Sequence, residues 1–169
     1  MPTVILQQVS NSFARKNAGG TLEKPVGLRF IAKYLSPEQF ESLNKVSSDG
    51  SVRIWGAKLE RSHQFIKVSP RDSFVLFRRS KQVFAHGVVA ETTFNEALAE
   101  MLWGRDSDGQ TWPFILFLKN LVLVQKEAAR FNLLLGRKEN DNWQGMTALY
   151  VKESPRLQAY FASQLDGEA

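Results

Sequence analysis

Apolar positions follow a helical spacing up to about residue 47 and a strand-like spacing after it. Ile5, Leu6, Val9 and Phe13 repeat at short intervals, which predicts a helix from Val4 to Lys16, stopped by Asn17-Ala18-Gly19-Gly20. Leu28, Ile31, Tyr34 and Leu35 share one face of a short helix between Pro25 and Leu35. Ser36 and Pro37 open a third helix as cap and first helical residue, with Phe40, Leu43 and Val46 as its buried stripe. Ser47-Ser48-Asp49-Gly50 is a turn.

The period then shortens. Val52–Trp55 reads as a strand, and Gln64–Val68 as a second candidate. Ser69-Pro70-Arg71-Asp72 is a turn. Phe74–Phe77 and Val83–Ala90, joined by the polar link Arg78–Gln82, predict a hairpin. Gly87 inside the second strand marks a bulge or a close approach. Thr93-Phe94-Asn95-Glu96 has the capping-box pattern, and the helix it opens carries Phe94, Leu98, Met101 and Leu102 and ends at Gly104. A polar loop, Arg105–Gln110, follows. Phe114–Leu118 is a buried strand, which Val122–Val124 either continues or pairs beside. Lys126–Leu135 reads as a helix stopped by Gly136, Arg137–Gly145 as a loop, Met146–Val151 as a last strand, and Ser154-Pro155 opens a last helix through Gln164. Strands and helices do not alternate strictly. An α+β architecture, a mixed and partly closed barrel with helices around it, fits this order. The expected organisation is one domain over 1–169, with N-terminal helices in 1–47, a β-rich core in 51–125 and a helical part in 126–169.

Charge sharpens the picture. The chain carries a net charge of +5, and the segment from Arg53 to Lys81 alone holds eight basic residues against Glu60 and Asp72. A basic block on strands is a candidate phosphate-binding face or a solvated surface. With no Cys in the sequence, there is no disulfide and no thiolate metal site. The chain has no long apolar run for a membrane span and no leader pattern at Met1–Leu6, which gives the expectation of a cytoplasmic protein.

Catalytic chemistry finds little support. His63 and His86 have no metal-ligand spacing, and His86, in a strand, reads as structural. No GxxxxGK[ST] or GxGxxG loop is present. Asp106-Ser107-Asp108-Gly109 lacks the spacing and distal Glu of a calcium loop and reads as a turn, and Glu96 and Glu100 are one helical turn apart on a solvated face. No metal, cofactor or catalytic residue is assigned. The four Trp residues say more. Trp112, before Pro113 and a strand, suits the core. Trp143 lies in a polar loop, either folded back or held out for a partner. Trp55 and Trp103 end their elements, where a ring joins the core or faces a cleft.

Val52-Arg53-Ile54-Trp55-Gly56, Asp72–Phe77 and Val83-Phe84-Ala85-His86-Gly87-Val88-Val89 resemble the core of YTH and EVE domains of the PUA-like superfamily. Leu98–Gly104 and Thr111–Leu118, with Leu134-Leu135-Gly136 and Gln144–Thr147, are similar to the N-terminal recognition domains of Mcr-type modification-dependent restriction GTPases. The resemblance runs from about Leu28 to Val151. It implies a non-catalytic reader that flips a modified base, N6-methyladenine first, into an aromatic cage. Trp55, Gly56 and Ala57 map onto one side of that cage and Trp103, with Trp112 as its rival, onto the other. Gly56 replaces the Ser or Thr usual in YTH domains, and Phe84 to Gly87 holds one residue more than their tightest pattern. Arg53, Lys58, Arg61, Arg78, Arg79 and Lys81 are the backbone-contact candidates. The implied partners are methylated DNA, a GTPase motor and a nuclease subunit, with no membrane. A reader of 5-methylcytosine or 5-hydroxymethylcytosine, an RNA-binding PUA-like domain and a protein-interaction domain are the alternatives.

Overall fold

The computed structural model describes residues 3–150 together with Pro155, Ala159 and Tyr160. Its first element corrects the expected N-terminal helix. Thr3–Gln8 is a strand, β1, and only Ser12–Thr21 is helical, as α1. β1 lies between two other strands and is buried on both faces, so its run Thr-Val-Ile-Leu shows no alternation and mimics a helical spacing. Asn11 caps α1 by accepting from the Ala14 amide. The helix passes through Gly19-Gly20 because Ala18 and Leu22, in and after it, are anchored in the core.

After β2 (Val26–Gly27), the expected second helix is a single turn, α2 (Leu28–Ile31), continued by a 3-10 turn at Ala32–Tyr34. α3 (Pro37–Val46) has a complete capping box between Ser36 and Gln39. β3 (Ser51–Ala57) leads into a 3-10 turn at Leu59–Arg61 and α4 (Ser62–Phe65), so the strand expected at Gln64–Val68 is instead helix and turn. β4 (Phe74–Arg79) and β5 (Gln82–Phe94) form the expected hairpin. α5 (Glu96–Trp103) is capped by Asn95, one residue pair later than the capping-box pattern placed it. β6 (Phe114–Glu127) is continuous, α6 (Ala128–Leu134) follows, and β7 (Met146–Tyr150) pairs with β1. The helix expected from Ser154 to Gln164 lies largely outside the described residues. The first 47 residues therefore hold two strands besides their helices.

The seven strands form one sheet in the order β2-β3-β6-β5-β4-β1-β7. All pairs are antiparallel except β1 with β4. No pairing between β2 and β7 closes it among the described residues. The sheet nevertheless curls. In a flat sheet β3 and β4 would stand about 14 Å apart, three strand spacings, yet the rings of Trp55 on β3 and Phe77 on β4 are 5.5 Å apart at their centroids. Three register shifts between β5 and β6 supply bending, and Gly87 sits at one of them. A Cβ there would lie 3.0 Å from Leu121 Cδ1 and 3.4 Å from the Lys119 carbonyl.

Side-chain alternation then sorts the core. The concave face buries Ile5, Trp55, Val75, Phe77, Ala85, Leu116 and Leu118, with Ala18 and Leu22 from the α1 region. The convex face is split. Val52, Ile54, Ile115 and Phe117 lie under Leu28, Ile31, Leu43, Leu98 and Trp103 from α2, α3 and α5. Val4, Leu6, Leu76 and Val83 lie under Ala128 and Phe131 of α6, with Trp143 folded back onto them.

Candidate functional site

The curl leaves a cleft of about 270 Å³ at the end of the concave face. Gln7 and Gln8 at the end of β1, Asn11 and Phe13 at the start of α1, and Trp55 to Lys58 at the end of β3 line it. Ala14, Glu60, Arg61, Trp112 and Gly145-Met146 complete the wall. The volume is near the lower end of the roughly 300–1,000 Å³ of pockets for drug-sized ligands, which suits a ligand of one or two rings.

Trp55 is only 3% exposed and packs edge-to-face on Phe77, so it is both a core residue and the cleft wall. Among the described buried side chains, Gln7 Oε1, Trp55 Nε1, Arg79 Nε and Thr111 Oγ1 have no hydrogen-bond partner within the protein. Two of these, the Trp55 donor and the Gln7 acceptor, belong to this one cleft. The Gln7 amide is oriented by its own Nε2, which donates to the Gln8 carbonyl at 2.9 Å. Leaving a buried polar group unpaired costs about 1–3 kcal/mol, so an unpaired donor and acceptor on residues lining one cleft are groups for a water or a ligand to meet. Both atoms are buried. Phe13, an exposed ring, lines the same cleft and is tilted against Trp112 with centroids 6.1 Å apart.

Of the expected cage residues, the structure brings Trp55, Gly56, Ala57 and Trp112 to the cleft and leaves Trp103 out. Period two explains it: Gly56 faces away from Trp55, onto the convex side, where Trp103 lies against it. A Cβ at position 56 would fall 2.4 Å from the Trp103 ring and 2.7 Å from the Trp112 carbonyl oxygen. Gly56 therefore makes room for Trp103, whose Nε1 donates to Thr21 Oγ1, itself bonded to the Ile54 carbonyl. Besides Trp55, the aromatic side chains lining the cleft are Trp112 and Phe13.

The six basic candidates separate in the same way. Arg61 lines the cleft, with its guanidinium packed over Gly145, where a Cβ would come within 2.6 Å of it. Lys58 also lines it, ion-paired to Asp106 at 2.5 Å and 5.6 Å from the Trp112 ring centroid. The Lys58 hydrogen bond, helped by the Gln110 and Asp108 amides, holds the Asp106 carboxyl below its ordinary range. Arg53 is turned away, donating to the Leu22 carbonyl. Arg78 is 6% exposed and bonded within the protein. It donates to the Ser80 and Asp141 carbonyls and lies over Trp143, and burial pulls its pKa below the ordinary value. Arg79 pairs with Glu23 at 3.2 Å and stacks on Phe84. Lys81 is exposed at the hairpin turn, away from this cleft.

Gln7, Asn11, Phe13 and Gly145 escaped the sequence reading. Their only signal was the polar pair Gln7-Gln8 ending an apolar run. Among the described residues no group of three or more His, Asp or Glu gathers as metal ligands, and no helix is long and apolar enough to cross a membrane.

Neither a family model nor a curated protein sequence matches the chain. Among solved structures, the N-terminal domain of Thermococcus gammatolerans McrB bound to m5C DNA is similar to it, with a TM-score of 0.74 and 15% sequence identity over 96% of this chain and 99% of that one. At that identity the likeness is one of fold, and it spans the whole architecture described above.

Proposed function

We propose that this chain is a DNA-recognition domain that takes one methylated base, flipped out of the duplex, into the cleft bounded by Trp55, Gln7, Phe13 and Trp112. The observation that carries the reading is the unpartnered donor and acceptor at Trp55 Nε1 and Gln7 Oε1. A nucleobase presents the complementary pair on its Watson–Crick edge. Trp112 gives one of its faces apolar contact, worth about 1–3 kcal/mol for a stacked ring. That offsets the few kcal/mol needed to unstack and unpair the base. Arg61 at the rim, with Lys58 beside it, holds the flanking phosphates without reading sequence.

Cytosine and adenine each offer a donor beside an acceptor, so these two groups accept either. The similar McrB domain was solved with m5C DNA, which moves our reading from N6-methyladenine to 5-methylcytosine. The role is recognition. The chemistry of cleavage belongs to a GTPase motor and nuclease that such a domain would direct, in the manner of Mcr-type and related YTH or EVE modules.

The test is binding to matched duplexes at fixed salt, unmodified or carrying 5-methylcytosine, 5-hydroxymethylcytosine or N6-methyladenine, with an RNA of the same sequence alongside. Preference for the 5-methylcytosine duplex is expected. Preference for N6-methyladenine keeps the cleft and changes the base. Equal binding to all the duplexes, or preference for the RNA, overturns the proposal.

A further inference from the structure

Among the described residues four arginines are half-buried, Arg53, Arg61, Arg79 and Arg137. Three of them are bonded within the protein. Arg53 donates to the Leu22 carbonyl, Arg79 pairs with Glu23 and Arg137 with Asp141. The Arg61 guanidinium alone has no hydrogen bond, ion pair or ring contact among the described residues. It lines the base cleft. A cation drawn partly out of water without an acceptor is unfavourable, so it is left for a water or a ligand to meet.

Gly145 fixes how that group is presented. A Cβ there would lie 2.6 Å from Arg61 Nη2 and 2.9 Å from both Cζ and Nε. A point so nearly equidistant from three of its atoms lies above the guanidinium plane, not in it. Gly145 therefore backs one flat face of the group, and its φ of +57° favours glycine as well. Both partners are anchored. The Gly145 carbonyl accepts from the Gln8 amide at 2.9 Å, and Met146, next along, pairs with Gln7 of β1. Arg61 ends the 3-10 turn after β3, and Gln64, three residues on, accepts from the Ala148 amide of β7 at 2.8 Å. The guanidinium is thus a flat cation on a fixed backing.

Resting on the base-reading role above, we infer that Arg61 is a wall of the base site: the flipped base stacks on the guanidinium face that Gly145 leaves open, while the N–H edge stays available to a flanking phosphate. Arginine suits this position because its charge is spread over a weakly hydrated plane, and unstacked bases rest on such planes. Lysine carries the same charge and no plane.

The test compares the parent chain with Arg61→Lys and Arg61→Ala over a series of salt concentrations. One duplex carries 5-methylcytosine and a second the unmodified base. A third carries an abasic tetrahydrofuran at the same position, which keeps every phosphate and removes the base. Arg61→Lys is expected to weaken binding to the methylated duplex about five- to thirtyfold, the range of a desolvated cation–π contact, and to change binding to the abasic duplex by less than about twofold. It should keep the parent's salt slope, which Arg61→Ala lowers on every duplex. Equal losses for Arg61→Lys on the methylated and abasic duplexes leave the guanidinium to the backbone alone and overturn the inference. A Lys variant that binds as the parent does overturns it too, and the base cleft stands in either case. A parent that binds methylated and unmodified duplexes alike overturns the base-reading role and this inference together.

Discussion

Replacing Trp55 by Phe separates the two roles this ring plays. As a core residue Trp55 packs on Phe77 and is 3% exposed, so truncation to Ala would cost about 3–5 kcal/mol and blur any binding result. Phe keeps the ring against Phe77 and removes the indole N–H. The space it leaves costs about 1 kcal/mol, toward the low end for large-to-small core changes. Against that, the free protein loses a buried donor that has no partner, a group whose desolvation costs about 1–3 kcal/mol. The two effects nearly cancel or favour the variant. The melting temperature should stay within about 4 °C of the parent's, since 1 kcal/mol moves a domain of this size by about 2–4 °C. Binding should change in the other direction. The base's acceptor is left buried and unpaired, costing about 1–3 kcal/mol, or about 5- to 150-fold in affinity. Thermal unfolding measures the first quantity, and fluorescence anisotropy with methylated and plain duplexes the second. Loss of duplex affinity on this scale at unchanged stability supports a ligand-directed donor. Unchanged affinity for both duplexes refutes it.

The remaining predictions follow from the same geometry. Gly56→Ala places a Cβ 2.4 Å from the Trp103 ring and 2.7 Å from a backbone carbonyl, so it should destabilise by at least the 1–3 kcal/mol or so of ordinary overpacking, read as a lower urea midpoint. Arg78→Ala strips a buried partner from the Ser80 and Asp141 carbonyls and should lower stability by about 2–4 kcal/mol while the salt slope of DNA binding stays put; a flattened slope with intact stability would restore Arg78 as a phosphate contact. Arg61→Ala should reduce that slope by about one unit, and Lys58→Ala by less, because Asp106 already neutralises Lys58. The Asp106 carboxyl is held low by Lys58, so its stabilising effect is complete above the ordinary carboxylate range and is lost only as pH falls through the depressed value. Asp106→Asn should therefore remove the pH dependence of stability that belongs to this pair below pH 4 or so.

The elements legible in the sequence are those whose signal is local. Ser36-Pro37 with Gln39 closes the capping box of α3 by itself, and two runs of strand formers, Phe74–Phe77 and Val83–Ala90, joined by a short polar link, give the hairpin. β1 failed for the converse reason. Flanked by β4 and β7 and covered on both faces, it has no polar side to set its period. Its parallel partner lies about seventy residues away, so no neighbouring stretch betrays it. Gln64–Val68 failed because it folds as helix and turn beside the outer strand β7, where the Gln64 side chain, not a strand backbone, accepts from the Ala148 amide.

The site was half legible for a related reason. Charge and aromaticity can be counted along a chain, but commitment cannot. Arg53, Arg78 and Arg79 read as cations available to DNA until their carbonyl and carboxylate partners appear. Trp55 and Trp103 read as facing rings until period two across Gly56 puts them on opposite sides of β3. The pair that defines the cleft, Gln7 and Trp55, is separated by three strands in the sheet order and meets only because the sheet curls. Curling is a collective result of the β5–β6 register shifts, so no window of sequence contains it. A protein that spent those shifts on curvature alone would still satisfy its buried polar groups. Here an indole donor and an amide acceptor stay without a protein partner at the concave end, which leaves each to be met by a water or a ligand.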